Sequence, residues 1–127
     1  MEELSIQPLK PIALKTATGF NYFDYDEIIL FKANGHNVEC LIVESDSAIK
    51  VYHTLAYIEK KYCHEIFRRC NKSTIVNLKL ISCLETKTRR IYMKNNLELK
   101  ISESFLKYLR NISKDLNGSG DKKSDQE

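Results

Sequence analysis

The chain has no tryptophan, only four glycines and two prolines in 127 residues. So few glycines leave little backbone for cradling phosphates, and no Gly-rich nucleotide-binding loop is present. No stretch approaches about 18 uninterrupted apolar residues, so no membrane-spanning helix is expected. Met1 to Lys10 is acidic and lacks the apolar run of a signal peptide, which points to the cytoplasm. The cysteines, Cys40, Cys63, Cys70 and Cys83, include no CxxC pair, whereas zinc sites normally contain at least one close pair. Cys63-His64 with Cys70 is the nearest approach to a ligand cluster, and its spacing fits no zinc pattern. Reduced cysteines acting as small hydrophobes are expected, with no metal and no cofactor. His36, His53 and His64 with Cys63 or Cys70 could supply a base and a thiol. No nucleophile elbow accompanies them and the carboxylates are scattered, so the chain is not expected to be an enzyme.

What is present suits one globular domain: 43% hydrophobic and 29% charged residues. A chain of this length can bury roughly two-thirds of its unfolded surface. The net charge is +3 and unevenly spread. Residues 1–45 hold three Lys/Arg against seven Asp/Glu, residues 46–100 twelve against five, and residues 101–127 five of each. A basic middle after an acidic start suits a polyanion on one face, and equally a solvated basic surface.

Short strands dominate the pattern. Ile12 to Thr16 alternates, Phe20 to Phe23 is aromatic, and Glu27 to Phe31 is nearly continuous apolar sequence of buried-strand length. Asn34-Gly35 is a turn signal leading to a strand at Val38 to Val43, with another at Ala48 to Tyr52, so the first half reads as a β-meander. Thr54 is positioned to cap a short helix over 54–64, with Leu55, Ile58 and Tyr62 on its apolar side. Residues 67–77 are mixed, and Leu78 to Leu84 reads as a strand. Asn95-Asn96 is positioned as a two-residue hairpin turn between Arg89–Met93 and Leu97–Ile101. Ser102 is placed to cap a last helix with Phe105, Leu109 and Ile112 in its stripe. The expected organisation is an N-terminal lead-in over 1–11, a domain over 12–114, and a polar tail over 115–127 with no apolar anchor, hence disordered.

The run Phe67-Arg68-Arg69-Cys70-Asn71-Lys72-Ser73-Thr74-Ile75-Val76-Asn77 mixes cations with Asn, Ser and Thr, side chains able to bond phosphates or base edges, before returning to apolar Ile-Val. A basic surface loop is its bland reading. No pair of amphipathic helices surrounds it, so DNA binding here would use loops between strands. Phe67, Arg69, Asn71, Lys72, Ser73, Val76, Asn77 and Ile81 together resemble the signature of the LytTR DNA-binding domain. Upstream, Tyr25 to Gly35 is similar to that family's aromatic strand and loop, and Tyr52 to Leu55 to the approach to its helix. Downstream, Tyr92 to Asn95 and Ile101-Ser102 fit its last hairpin and closing segment; the likeness covers about residues 12–110.

The resemblance implies a mainly β fold of short strands in small stacked sheets, with one short mid-chain helix and a C-terminal helix. It also implies sequence-specific binding of double-stranded DNA by loops entering successive major grooves. The implied contacts are His36 and Asn37 in the first loop, Arg69, Asn71 and Lys72 in the second, and Lys100, Ser102, Ser104 and Lys107 around the last segment. Where the family commonly has two Arg after the Ser, this chain has Ser102-Glu103-Ser104, which removes a base-reading guanidinium and adds a carboxylate. A receiver domain does not fit before residue 12, so control is expected from a partner protein, from concentration or from oxidation of Cys70, for which a bystander cysteine is the favoured reading, unless the chain is part of a longer protein. The expected function is a DNA-binding transcriptional regulator, possible as a homodimer on paired half-sites. The alternative is a protein-interaction module or antagonist that kept the fold and lost specific DNA binding.

Overall fold

A computed structural model describes residues 10–63 and 66–117. The lead-in before Lys10, the tail beyond Asn117, and His64 lie outside the described residues. Strands β1 (Ile12–Thr16) and β2 (Gly19–Phe23) form a hairpin. Next come β3 (Ile28–Asn34), β4 (Asn37–Ile42), β5 (Ile49–Val51), helix α1 (Leu55–Tyr62), β6 (Phe67–Asn71) and β7 (Thr74–Asn77). Strands β8 (Ile81–Glu85), β9 (Arg90–Met93) and β10 (Glu98–Lys100) precede helix α2 (Glu103–Asn117). The strands make three antiparallel sheets: β1-β2, a five-stranded β5-β4-β3-β7-β6, and a three-stranded β10-β9-β8. The mainly β fold with stacked sheets and two helices is as expected.

The five-stranded sheet is covered on both faces, which explains why β3 reads as an unbroken apolar run. One core gathers Ile28 and Phe31 of β3 with Ile12 and Leu14 of β1, and with Leu55 and Ile58 of α1. The other gathers Ile29 and Leu30 with Ile91 and Met93 of β9, and with Phe105 and Leu106 of α2. Strict alternation would send Ile29 and Leu30 to opposite faces. A register shift between Ile28 and Leu30 sends both to the second core.

Residues 67–77, mixed in sequence, form the β6–β7 hairpin. All of β7 is buried, Thr74 and Asn77 included, because β7 lies between β3 and β6 in the sheet. The meander expected for the first half therefore holds only for β3-β4-β5, with β7 taking the free edge of β3. Leu78 to Leu84 is not one strand. Asn77 Oδ1 accepts the Lys79 amide at 2.9 Å, turning Leu78–Leu80 into a single 3-10 turn before β8 begins. Helix α1 starts where expected, with Thr54 Oγ1 accepting the Tyr57 amide at 3.0 Å, and ends at Tyr62. Met93 and Leu97 bond across a loop of Lys94, Asn95 and Asn96, with Asn96 at φ 71°, so the last hairpin turn is one residue longer than expected. Helix α2 is capped by Ser102, whose Oγ accepts the Phe105 amide at 3.2 Å, and it continues to Asn117 into the segment assigned to the tail.

Two polar side chains hold distant parts together. Asn77 is fully buried, and its Nδ2 donates to the carbonyls of Tyr25 and Ile28, each at 2.9 Å. Asn77→Ala strands these acceptors and the Lys79 amide, and is expected to cost roughly 2–3 kcal/mol, measured by urea unfolding. His53 Nε2 accepts the Lys15 amide at 3.1 Å, which requires that nitrogen unprotonated. Burial, with the positive charges of Lys61 and Lys15, lowers the His53 pKa. The unfolded chain then binds the proton more readily, so stability falls as pH drops through the ordinary histidine value of about 6.5. A thermal midpoint that decreases from about pH 7.5 to about pH 5.5, and decreases less in His53→Gln, is the expected result.

Candidate nucleic-acid interface

The sheet register brings three separated segments to one end of the molecule. The β3–β4 turn runs Asn34-Gly35-His36-Asn37, with Asn34 opposite Asn37 and Gly35 at φ 66°. That left-handed backbone suits glycine, and it leaves His36 exposed at the tip. The β6–β7 turn lies beside it, because Lys32 is opposite Thr74 and the Ala33 amide donates to the Ser73 carbonyl at 2.8 Å. The third segment, Lys100 to Ser104, joins the second through two bonds. Asn71 Nδ2 donates to the Lys100 carbonyl at 2.8 Å, and the Ser102 amide donates to the Cys70 carbonyl at 2.8 Å.

The side chains within this cluster divide between those that build it and those that it presents. Asn71 builds: its Oδ1 accepts the Ser73 amide at 2.9 Å and the Ser73 hydroxyl at 3.2 Å, closing the turn, while its amide nitrogen ties the turn to β10. Arg69 also builds. Its Nη1 donates to the Lys72 carbonyl at 2.6 Å, and its Nε stands 3.2 Å from a Glu59 carboxylate oxygen. The Nε–H itself is buried without a hydrogen-bond partner among the described residues, so that contact is an ion pair rather than an aligned bond. Lys72, on the turn those bonds fix, is exposed, as are His36, Lys100, Ser104 and Lys107; Asn37 and Ser102 are half-buried. Lys107 sits on α2 and shares no hydrogen bond with the three segments among the described residues.

Sequence reasoning missed a fourth segment. The Ile101 amide donates to the Arg89 carbonyl at 3.0 Å, and Lys100 is opposite Arg90, so the β8–β9 turn carrying Lys87 and Arg89 abuts the third segment. Both cations are exposed, while Arg90 is paired with Glu98. The only sequence signal was a pair of arginines ahead of a strand; their neighbour Lys100 lies across the β9–β10 hairpin. The carboxylate in the cluster is Glu103, exposed on the first turn of α2.

The thiols are unequal. Burial pushes Cys40 and Cys70 up to about 12, and burial with the nearby Glu59 charge pushes Cys63 up to about 11. Cys83 is exposed on β8. Among the described residues no three His, Cys, Asp or Glu side chains gather to hold a metal. Iodoacetamide on the native protein is expected to modify Cys83 first and to reach Cys40 and Cys70 only on unfolding, as read by peptide mass spectrometry.

Stacked small sheets with their turns and a helix start gathered at one end define a β-rich domain whose convergent segments are loops and a helix start, not a pair of amphipathic helices. The model of one such family, the LytTr DNA-binding domain, matches residues 19–114, and the chain belongs to that family. Its membership suggests a DNA-binding regulatory role. Among solved structures, the fold is similar to a LytTr DNA-binding domain from Bacillus cereus, part of a protein described as a methyl-accepting/DNA response regulator. The TM-score is 0.66 at 20% identity, covering 82% of this chain and 96% of that one. No curated protein matches the sequence. No helix among the described residues is long and apolar enough to cross a membrane.

Proposed function

We propose that the protein is a transcriptional regulator that binds double-stranded DNA sequence-specifically through its inter-strand loops. The observation that carries this reading is the convergence of residues 34–37, 71–74 and 100–104 at one end of the molecule, the second bonded to Ala33 beside the first and to Lys100 of the third, and edged with exposed cations. Loops held this way enter a major groove with little ordering left to do on binding. Lys72 is the leading contact, reaching a phosphate or a guanine from a turn whose backbone Arg69 holds. His36 and Asn37 face base edges from the first turn, and Ser102 and Ser104 offer hydroxyls from the third. Lys100 and Lys107, with Lys87 and Arg89 of the fourth segment, supply phosphate contacts. In this role Asn71 and Arg69 shape the second turn rather than read DNA. Paired half-sites occupied by two copies fit a domain this small. The reading assigns no catalysis, metal or cofactor.

A second reading has one observation in its favour. Glu103 presents a carboxylate to the same face where DNA would bring phosphate, which repels a polyanion and suits a protein partner. On this view the domain is an interaction module or antagonist. The two separate by salt dependence: several phosphate contacts make the logarithm of affinity fall steeply with the logarithm of salt, and a protein complex lacks that slope.

Selection from random duplex DNA is expected to recover a motif repeated at about one helical turn. Anisotropy titrations of that site at several salt concentrations are expected to give a steep slope, reduced by about one in Lys72→Ala. No enrichment, with feeble binding of every sequence alike, overturns the specific regulator in favour of the interaction module.

A further inference from the structure

A cleft of about 320 Å³ opens along the outer edge of β6 and reaches the third segment at Ser104. Its walls are Glu59 of α1 and Cys63 just after it, Arg68 and Arg69 of β6, and Ser104 and Phe105 of α2. Arg68 sets this recess apart. Its guanidinium carbon stands over the Tyr108 ring, 3.8 Å from the centroid, and the side chain is exposed, so the ring contact holds the cation while its N–H groups stay accessible. Among the described residues Arg68 has no carboxylate partner, whereas Arg69 is paired with Glu59 and Arg90 with Glu98. Glu59, the carboxylate in the cleft, is thus already matched by Arg69. The Cys63 thiol, raised to about 11 by burial, brings no negative charge at neutral pH. Ser104, whose hydroxyl lies 3.2 Å from that of Ser102, adds a hydroxyl on the α2 wall.

A guanidinium seated over a ring, with no carboxylate partner among the described residues and a serine hydroxyl lining the same cleft, is a donor set for phosphate oxygens. We propose that this cleft is a phosphate-binding subsite centred on Arg68, bordering the third segment, which supplies Ser104. The phosphate belongs either to a DNA backbone running past the turns or to a free phosphate compound. The first source rests on the DNA-binding reading and the second does not. Tyr108 is a positioning residue that holds Arg68 ready.

Two measurements on the full chain separate the sources. In the first, inorganic phosphate is titrated at constant ionic strength while amide and Arg Nε–H resonances are followed by NMR. Saturable shifts at Arg68, Cys63 and Ser104, lost in Arg68→Gln and kept in Lys94→Ala, identify a free-phosphate site. In the second, binding to a random-sequence duplex is measured across salt concentrations. A slope reduced by about one in Arg68→Gln, and unchanged in Lys94→Ala, identifies a backbone phosphate. Tyr108→Leu is expected to weaken whichever signal appears while leaving the charge in place. The proposal is overturned if phosphate shifts never saturate and the slope is the same in Arg68→Gln and the native chain. It is equally overturned if Lys94→Ala lowers the slope as much as Arg68→Gln. A native chain with no salt-dependent duplex binding defeats the DNA-binding reading, and the phosphate titration then decides the subsite alone.

Discussion

Burial of the central strand pair on both faces is the constraint on which the rest of the molecule depends. Strand β3 and its neighbour β7 carry side chains into two separate cores, one closed by β1 and α1 and the other by the three-stranded sheet and α2. Apolar surface removed from water on both sides of one sheet is the main favourable contribution available to a domain of this size. It requires every covering element to return to that sheet, however far apart in sequence. The register shift in β3 is part of the same constraint, since it lets four successive apolar residues serve two cores.

The loop cluster is a consequence of that sheet. Once β7 inserts beside β3, the turn preceding β7 lies next to the turn following β3, and the Ala33–Ser73 bond records the proximity. The bonds from Asn71 and Ser102 then attach the start of α2 to the same end. Asparagine performs the closing twice. Asn77, buried, substitutes for missing backbone partners beneath the sheet, and Asn71 does so at its tip. A side chain with both donor and acceptor can satisfy backbone groups of two elements at once, which explains why each Asn stands where strands change direction.

Electrostatics is layered over this frame unevenly. Arg69 and Arg90 are neutralised by carboxylates and act on local geometry. Lys72, Lys87, Arg89 and Lys100 are exposed around the convergent turns, and Arg68 is stacked on Tyr108 beside them. A count of basic residues from 46 to 100 cannot separate these groups, because pairing is decided by neighbours from other elements. Exposed charges of this kind contribute little to stability and are free to act on a partner.

The amino-acid sequence by itself determined most of the local elements: the strands up to β5, the Asn34-Gly35 turn, the Thr54 and Ser102 helix caps, and the LytTR-like order of motifs. Each depends on the φ/ψ preferences and apolar periodicity of a few neighbouring residues, so each is written within about ten positions. Tertiary structure alone decided the rest. It made a buried strand of Thr74–Asn77, bent Leu78–Leu80 into a turn through the Asn77 side chain, turned Asn71 and Arg69 inward, and brought Lys87 and Arg89 beside Lys100. These outcomes depend on which strand takes the open edge of β3 and on cross-strand register. Both are settled by burial summed over the whole domain, a quantity that no local stretch of sequence contains.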